Sequence, residues 1–402
     1  MSMDDSRSEV ILISNASAYG GVATHLNQFS RVLFAACNVK RVLLFCSTKP
    51  TISHISCPIS IYSTTEILLS RLSFVRFLVI PINFVRELFV ALCNSCIGRN
   101  LNIVSHDPNS FWGFVLLAGK ADYFLFVTPD LSSMERKSGL KFYIYKLWRK
   151  FLNILVVKRL GSNRLKLVAP TDFAAEIWAR YIGIEPKLIS ILSNPPFLKR
   201  PCETIIIDTQ SADVRVAQWL DLHKSGKKLI LSVGMMVDYK NPVAWAEIVG
   251  KIQAQRDDLF WIWAGDGEEL ETIRKKLQGV PRAFAVGRLN QKDLKELYEI
   301  THVFFHPAIK ESQGIVVMDA LTYGIPVILN NSDALPELIK DSEAGLIVEC
   351  QDINAPDKIA QYLSSLDDRK AYEKISQAAS MLAIERYSYD KWQQCLTDLL
   401  KS

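Results

Sequence analysis

The chain has 402 residues, of which 49% are hydrophobic and 22% charged, with a formal net charge of +5. That length accommodates two or three domains of roughly 100–200 residues each, and the composition is that of a globular chain able to bury a large core. The most apolar stretch, 68–97, is broken by Arg71, Arg76, Arg86 and Glu87, so it lacks the ~20 uncharged residues needed to cross a bilayer. The acidic, polar start MSMDDSRSEV predicts no secretory leader, and the expected location is cytoplasmic, free or peripheral on the inner face of the membrane. Eight cysteines are scattered without a metal-ligand rhythm, and Cys93 and Cys96 form the single C-x-x-C. The expectation is buried thiols and no metal site. The positive charge is local: ten Lys or Arg lie between Arg136 and Lys166 with no acid among them. Such a cluster suits phosphate groups or an anionic membrane surface, while no nucleic-acid-binding module surrounds it.

Short apolar strands alternate with helical patterns along most of the chain, which predicts parallel sheets covered by helices on both faces. In the first half strands are expected at 10–14, 41–46, 102–106, 123–128, 165–169 and 188–192. Helices are expected to begin near Gly21, Asn109, Leu140 and Asp172. Asn194-Pro195-Pro196 breaks the pattern, and the polar stretch at 199–228 reads as a connection between domains. The alternation restarts at 229–233, followed by 259–264, 283–286, 302–306, 326–329 and 346–348. The expected fold is α/β, two Rossmann-like doubly wound parallel-sheet domains: 1–198 plus 387–402, and 199–386.

Three strand ends in the second half carry chemistry. Ser232-Val233-Gly234 ends a strand and Lys240-Asn241-Pro242 opens a helix, placing Lys240 where a phosphate would meet a helix start. Trp263-Ala264-Gly265-Asp266-Gly267 ends another, its glycines allowing either a tight turn or the approach of a ligand to the backbone. Pro307-Ala308-Ile309-Lys310-Glu311-Ser312-Gln313-Gly314 leads into a helical run at 315–321, closed by Gly324-Ile325-Pro326. The amides of Gly314, Ile315 and Val316 would be free donors at that helix start. Glu311 lies just before it, where a carboxylate can accept hydrogen bonds from sugar hydroxyls, and Asp319 lies within the helix.

The stretches SVGMMVDYKN, WIWAGDGEE, VGRLNQKDLKELYE and HPAIKESQGIVVMDALTYGIPVI, in that order, resemble the retaining family 4 glycosyltransferases of the GT-B fold. The resemblance implies two Rossmann-like domains facing an interdomain cleft, a nucleotide-sugar donor (a UDP- or GDP-sugar), no cofactor and no metal. It implies that Lys240 neutralises the donor diphosphate and that Glu311, the first of a pair of acids, contacts the transferred sugar. Asp319, the second acid, would hold the ribose hydroxyls. Gly287, Arg288 and Leu289 would pack against the base, and Ser312, Gly314, Ile315 and Val316 would cradle phosphate and sugar. The chain departs from the family pattern at Met235, where an arginine is usual, and at Asp319, where glutamate is usual.

The first half resembles the same family more weakly. Tyr19-Gly20-Gly21-Val22 follows the first strand as the family's glycine loop does, implying that Gly20 and Gly21 let the backbone approach the donor phosphates. Pro129 stands where the family commonly has an active-site histidine, leaving Asp130 and His106 as the nearby polar candidates. The run 141–155 has Ile144, Leu147, Trp148 and Phe151 on one face and Lys146, Arg149 and Lys150 on the other. It either packs on its own sheet with a solvated basic face or rests on anionic lipid near a lipid-linked acceptor. The implied activity is retaining transfer of a sugar to a glycan or glycolipid in cell-surface polysaccharide biosynthesis. A catalytically silent partner or regulatory subunit of the same fold is the alternative, followed by a phosphorylase or an epimerase.

Overall fold

The computed structural model describes five strands before residue 165 and then residues 165–196, 198 and 214–401. The chain divides into two compact units, Met1–Ser193 with Trp392–Ser402, and Asn194–Lys391. In the first unit the described strands are β1 (Ser8–Ser14), β2 (Val39–Cys46), β3 (Ile59–Ser63), β4 (Leu101–Ser105), β5 (Tyr123–Val127), β6 (Leu165–Ala169) and β7 (Ile189–Ile191). They form one parallel sheet in the order β3-β2-β1-β4-β5-β6-β7. Helix α1 (Asp172–Ile182) starts where the Thr171 hydroxyl accepts the Ala174 amide and stops at Gly183, whose φ of 82° is left-handed.

The second unit is described throughout from residue 214. Its sheet consists of β8 (Lys228–Val233), β9 (Leu259–Ala264), β10 (Ala283–Gly287), β11 (Thr301–His306), β12 (Val327–Asn330) and β13 (Gly345–Val348). The order is β10-β9-β8-β11-β12-β13 and every pairing is parallel, which is the doubly wound arrangement. Every residue of β9, LFWIWA, is buried, as expected for a strand covered on both faces. Its side chains alternate between two cores: Phe260 and Ile262 join one, Leu259, Trp261 and Trp263 the other. The covering helices are α2 (Val214–Lys224), α3 (Pro242–Gln253), α4 (Leu270–Lys276), α5 (Gln291–Ile300), α6 (Ile315–Thr322), α7 (Leu335–Leu338), α8 (Ala355–Ser365) and α9 (Arg369–Leu382). The last helix, α10 (Tyr389–Lys401), has its body from Trp392 onward in the first unit.

The structure departs from the sequence expectation in identifiable places. The stretch read as a polar connection contains α2, because Val216 and Trp219 supply apolar residues at helical spacing and both are buried in the second unit's core. Strand β3 was not expected; ISIYS is short and only half apolar. The unit boundaries fall at 193/194 and 391/392, rather than at 198/199 and 386/387. The expected helices near Gly21, Asn109 and Leu140 lie outside the described residues, as do Cys93, Cys96 and the basic run 141–155. Among the described residues no helix is long and apolar enough to cross a membrane, and Cys350 is a buried free thiol whose pKa burial pushes up to about 12.

Trp219 is 1% exposed and its ring centre lies 6.3 Å from that of Phe284 at the sheet edge. Trp219→Ala is therefore expected to lower the unfolding free energy of the second unit by about 3–5 kcal/mol. Urea unfolding followed by circular dichroism measures this, and an unchanged midpoint would remove α2 from the core.

Candidate functional site

In the second sheet β8 and β11 are neighbours, yet β8 leads on to β9 at one side and β11 to β12 at the other. The loops leaving their carboxyl ends therefore part company, opening a crevice at the switch point. Backbone bonds tie these loops together at their bases. The amides of Ile309 and Lys310 both donate to the Tyr239 carbonyl, at 2.9 and 3.2 Å. The Asn241 and Asn330 side-chain amides donate to the carbonyls of Pro307 and Ala308, at 3.2 and 3.0 Å. Asn241 adopts a left-handed φ of 59° immediately before Pro242, which starts α3. This turn sets Lys240 facing the second loop.

Across that junction Lys240 Nζ lies 2.5 Å from Glu311 Oε2, and the two side chains are only 15% and 13% exposed. The same oxygen lies 3.1 Å from Nε2 of His306, the last residue of β11, which is 2% exposed. The Glu311 amide donates to Asp333 Oδ2 at 3.1 Å, and its carbonyl accepts from Ala334 at 3.2 Å. Burial alone would raise the Glu311 pKa. The Lys240 charge and the bonds from His306 and Lys240 outweigh it and hold the carboxyl well below the usual carboxylate range. Burial pushes the His306 pKa down, more than its bond to Glu311 pushes it up. Glu311 is thus an ionised acid, fixed in the loop between β11 and α6 and countered by one lysine.

Helix α6 begins just after Gly314, its N-cap, whose φ of 75° is left-handed. A β-carbon there would come within 3.1 Å of Leu338 Cδ1, so glycine alone makes this turn without strain. The Val317 and Met318 amides turn back to the Gly314 carbonyl, leaving the amides of Gly314, Ile315 and Val316 as the positive start of the helix, one turn from Glu311. Gln313, 3% exposed, exchanges two bonds with Asn194: Asn194 Nδ2 donates to its Oε1 at 2.5 Å, and its Nε2 donates to the Asn194 carbonyl at 3.2 Å. Asp319 is 2% exposed and its Oδ1 accepts the Leu198 amide at 2.8 Å.

Beside this cluster a groove of about 520 Å³ runs along the ends of β8, β9 and β10, lined among others by Met235, Asp266, Arg288, Leu289 and Leu294. Met235 is 56% exposed on it and brings no charge. The glycines of Gly265-Asp266-Gly267 serve the wall of the groove. A β-carbon on Gly265 would sit 1.8 Å from the Gly234 carbonyl oxygen, and one on Gly267 2.2 Å from that of Met236. The close approach is of one loop's backbone to the other. Backbone bonds seal it: Met236 N to Asp266 O and Glu269 N to Met236 O, both 3.0 Å.

Of the residues singled out from sequence, Lys240 and Glu311 meet directly, Gly314, Ile315 and Val316 form the adjoining helix start, and Arg288 and Leu289 line the groove. Gly287, with φ 76°, accepts the Gly265 amide at 2.8 Å through its carbonyl, next to Arg288. Ser312 is half-buried beside Glu311. Gly20, Gly21, His106 and Asp130 lie outside the described residues. Sequence reading missed His306, Asp333 and Gln313. Only His306 left a signal, a histidine closing the apolar run Val303-Phe304-Phe305.

Residues 219–381 match the family model described as glycosyl transferases group 1. The O-antigen chain mannosyltransferase B of Escherichia coli is 24% identical over 173 residues, which are 43% of this chain and 41% of that protein. The chain therefore spans less than half the length of that curated relative. A glycosyltransferase structure from Rickettsia africae superposes with a TM-score of 0.72 at 14% identity, covering 98% of both chains. Anabaena HepE in complex with UDP gives 0.68 at 12% identity, covering 98% of this chain and 99% of that one. These likenesses identify the fold as GT-B, two Rossmann-like parallel-sheet units.

The Lys240–Glu311 pair makes a pH-dependent contribution to stability. The folded pKa of Glu311 lies below its unfolded value of about 4.3, so the contribution is complete above that pH and is lost as pH falls toward the folded value. Glu311→Gln is expected to lower stability by about 3–5 kcal/mol near neutrality, because it strands a buried lysine. The gap from the unsubstituted protein should narrow steadily below about pH 4. Denaturant unfolding across that range measures it, and a gap independent of pH contradicts the ion pair.

Proposed function

We propose, on the premise that residues 219–381 are a domain of the glycosyl transferases group 1 family, that the chain transfers a hexosyl group from a nucleoside-diphosphate sugar to a glycan or lipid-linked acceptor in cell-surface polysaccharide assembly. The observation carrying this reading is the largely buried Lys240–Glu311 pair at the switch point, next to the start of α6 and on the same strand-end edge of the sheet as the groove. A lysine and a helix N-terminus together suit a diphosphate. A carboxylate that stays ionised suits sugar hydroxyls. A groove with one apolar wall suits a base. The acceptor class follows the O-antigen relative, and HepE, which binds UDP, supports a uridine donor ahead of a guanosine one.

In this reading the base lies in the groove between Met235 and Leu289, against Gly287 and Arg288. The diphosphate meets Lys240 and the amides of Gly314, Ile315 and Val316, with Ser312 alongside. As the diphosphate takes up the Lys240 charge, Glu311 turns its hydrogen-bonding capacity to the sugar. Asp319 holds the ribose in competition with the Leu198 amide. In a retaining transfer the acceptor oxygen forms its bond to the anomeric carbon as the bond to the phosphate oxygen breaks. The acceptor proton passes to that departing oxygen on the same face. The residues then work by positioning and by stabilising the leaving diphosphate. Asp130, His106, Gly20 and Gly21 are proposed to take part in the same transfer.

Lys240→Ala is expected to weaken donor binding by about one to two orders of magnitude, the worth of a charge-assisted contact. Glu311→Ala is expected to remove turnover while the circular dichroism spectrum is kept. Calorimetric titration with uridine, guanosine and adenosine diphosphate sugars, followed by assay of released nucleoside diphosphate, tests both. Unchanged donor affinity in the lysine variant sinks its role, and absence of binding to every donor favours the silent partner instead. The basic run 141–155 is proposed to rest on anionic lipid. Sedimentation with phosphatidylglycerol vesicles should exceed that with neutral vesicles, and equal sedimentation refutes it.

A further inference from the structure

We propose that His306 is a positioning residue for Glu311: its neutral imidazole donates from Nε2 to Oε2, pins the carboxylate against Lys240 and leaves Oε1 for the sugar. The inference rests on the functional reading above and assigns a task to a residue which that reading does not use. Three observations carry it. His306 closes β11 and is 2% exposed, with its ring 6.2 Å from that of Phe304 in a near-parallel stack, so its orientation is set by the core rather than by solvent. Its Nε2 lies 3.1 Å from Glu311 Oε2, the oxygen that Lys240 also holds at 2.5 Å. Oε1, in contrast, makes no hydrogen bond among the described residues.

The chemistry fixes the tautomer. An ionised carboxylate only accepts, so a neutral histidine meeting it must carry its proton on Nε2. The groups facing the imidazole are Glu311, Lys240 and Phe304. Lys240 and burial both disfavour a charged ring, whereas Glu311 favours one. Two donors on one oxygen remove the freedom of the glutamate to rotate about its last torsion, which is otherwise broad. When the donor diphosphate draws Lys240 away, the histidine is the contact that remains, so the carboxylate keeps its direction at the moment the sugar arrives.

The test is a pair of substitutions on the full chain, with kcat and KM for the donor read separately. His306→Leu removes the donor group at similar volume and is expected to lower kcat by roughly 10–100-fold, the loss usual when a residue that orients a ligand is removed, with donor KM within about three-fold. The acid limb of its pH profile should move up, since Glu311 loses a bond to its charged form. His306→Gln, whose side-chain amide reaches about as far as Nε2, should recover most of kcat and return the limb toward its original position. Equal kcat in the Leu variant overturns the proposal, as do equal losses in the Leu and Gln variants with the pH limb unmoved. Should the Leu variant fail to fold, His306→Asn, whose amide falls short of Oε2, takes its place with the same expectation. A double-substitution cycle of His306→Gln, His306→Asn and Glu311→Gln, read by unfolding, is independent of turnover. If no donor is turned over by the unsubstituted protein, the functional reading fails. A cycle in which Asn, but not Gln, uncouples position 306 from 311 still supports the contact, and no coupling in either variant overturns it.

Discussion

Two side chains of opposite charge, separated by 71 residues in the chain, meet at one carboxylate oxygen where the strand order reverses. Neither charge is tenable there alone, since moving an ion out of water costs several kcal/mol unless a partner meets it. The Lys240–Glu311 contact therefore constrains both loops that carry it. The carbonyl of Tyr239, beside the lysine, takes two amides from the glutamate's loop, and Asp333 and Ala334 hold the glutamate's own backbone. What surrounds the pair is scaffolding that keeps two charges at bonding distance and out of bulk solvent.

That scaffolding follows from sheet order. A parallel sheet brings all its strand ends to one edge, and the order β10-β9-β8-β11-β12-β13 places the two loops nearest the reversal side by side. Strands such as LFWIWA are apolar throughout because helices cover both faces, so polar residues are expelled to the edges. A polar residue that remains at a strand end, as Ser232 and His306 do, is there with a partner: Ser232 donates to the Phe305 carbonyl at 2.7 Å and His306 faces Glu311.

Much of this was legible in the sequence. Alternating apolar runs located most of the described strands to within two residues, and the proline and glycine punctuation at Asn241-Pro242 and Gly324-Ile325-Pro326 located the ends of α3 and α6. The lysine was picked out because it opens a helix after a strand, and the acid because it lies just before the helix that follows one. Three things were hidden. The partnership of His306 with Glu311 depends on a rotamer and a backbone turn that no periodicity encodes. Helix α2 was obscured by its polar face, since among its described side chains Val216, Trp219 and Leu220, with Leu222 partly buried, mark the buried one. The glycines at 265 and 267 carried two readings, a tight turn or the approach of a ligand, and the neighbour that does approach, the backbone of 234–236, is set by the fold rather than by local sequence.

Those glycines carry a further consequence. The wall where the β8 and β9 loops meet is made of peptide groups in direct contact, Gly265 against Gly234 and Gly267 against Met236, and no substitution at either glycine can reshape it without parting the loops. Inheritable variation in what the groove admits is thereby left to the side chains that line it, Met235, Arg288 and Leu289 among them. The molecule separates an invariant mould from an editable rim, and relatives that diverge in ligand choice should differ at the rim while the mould stays fixed.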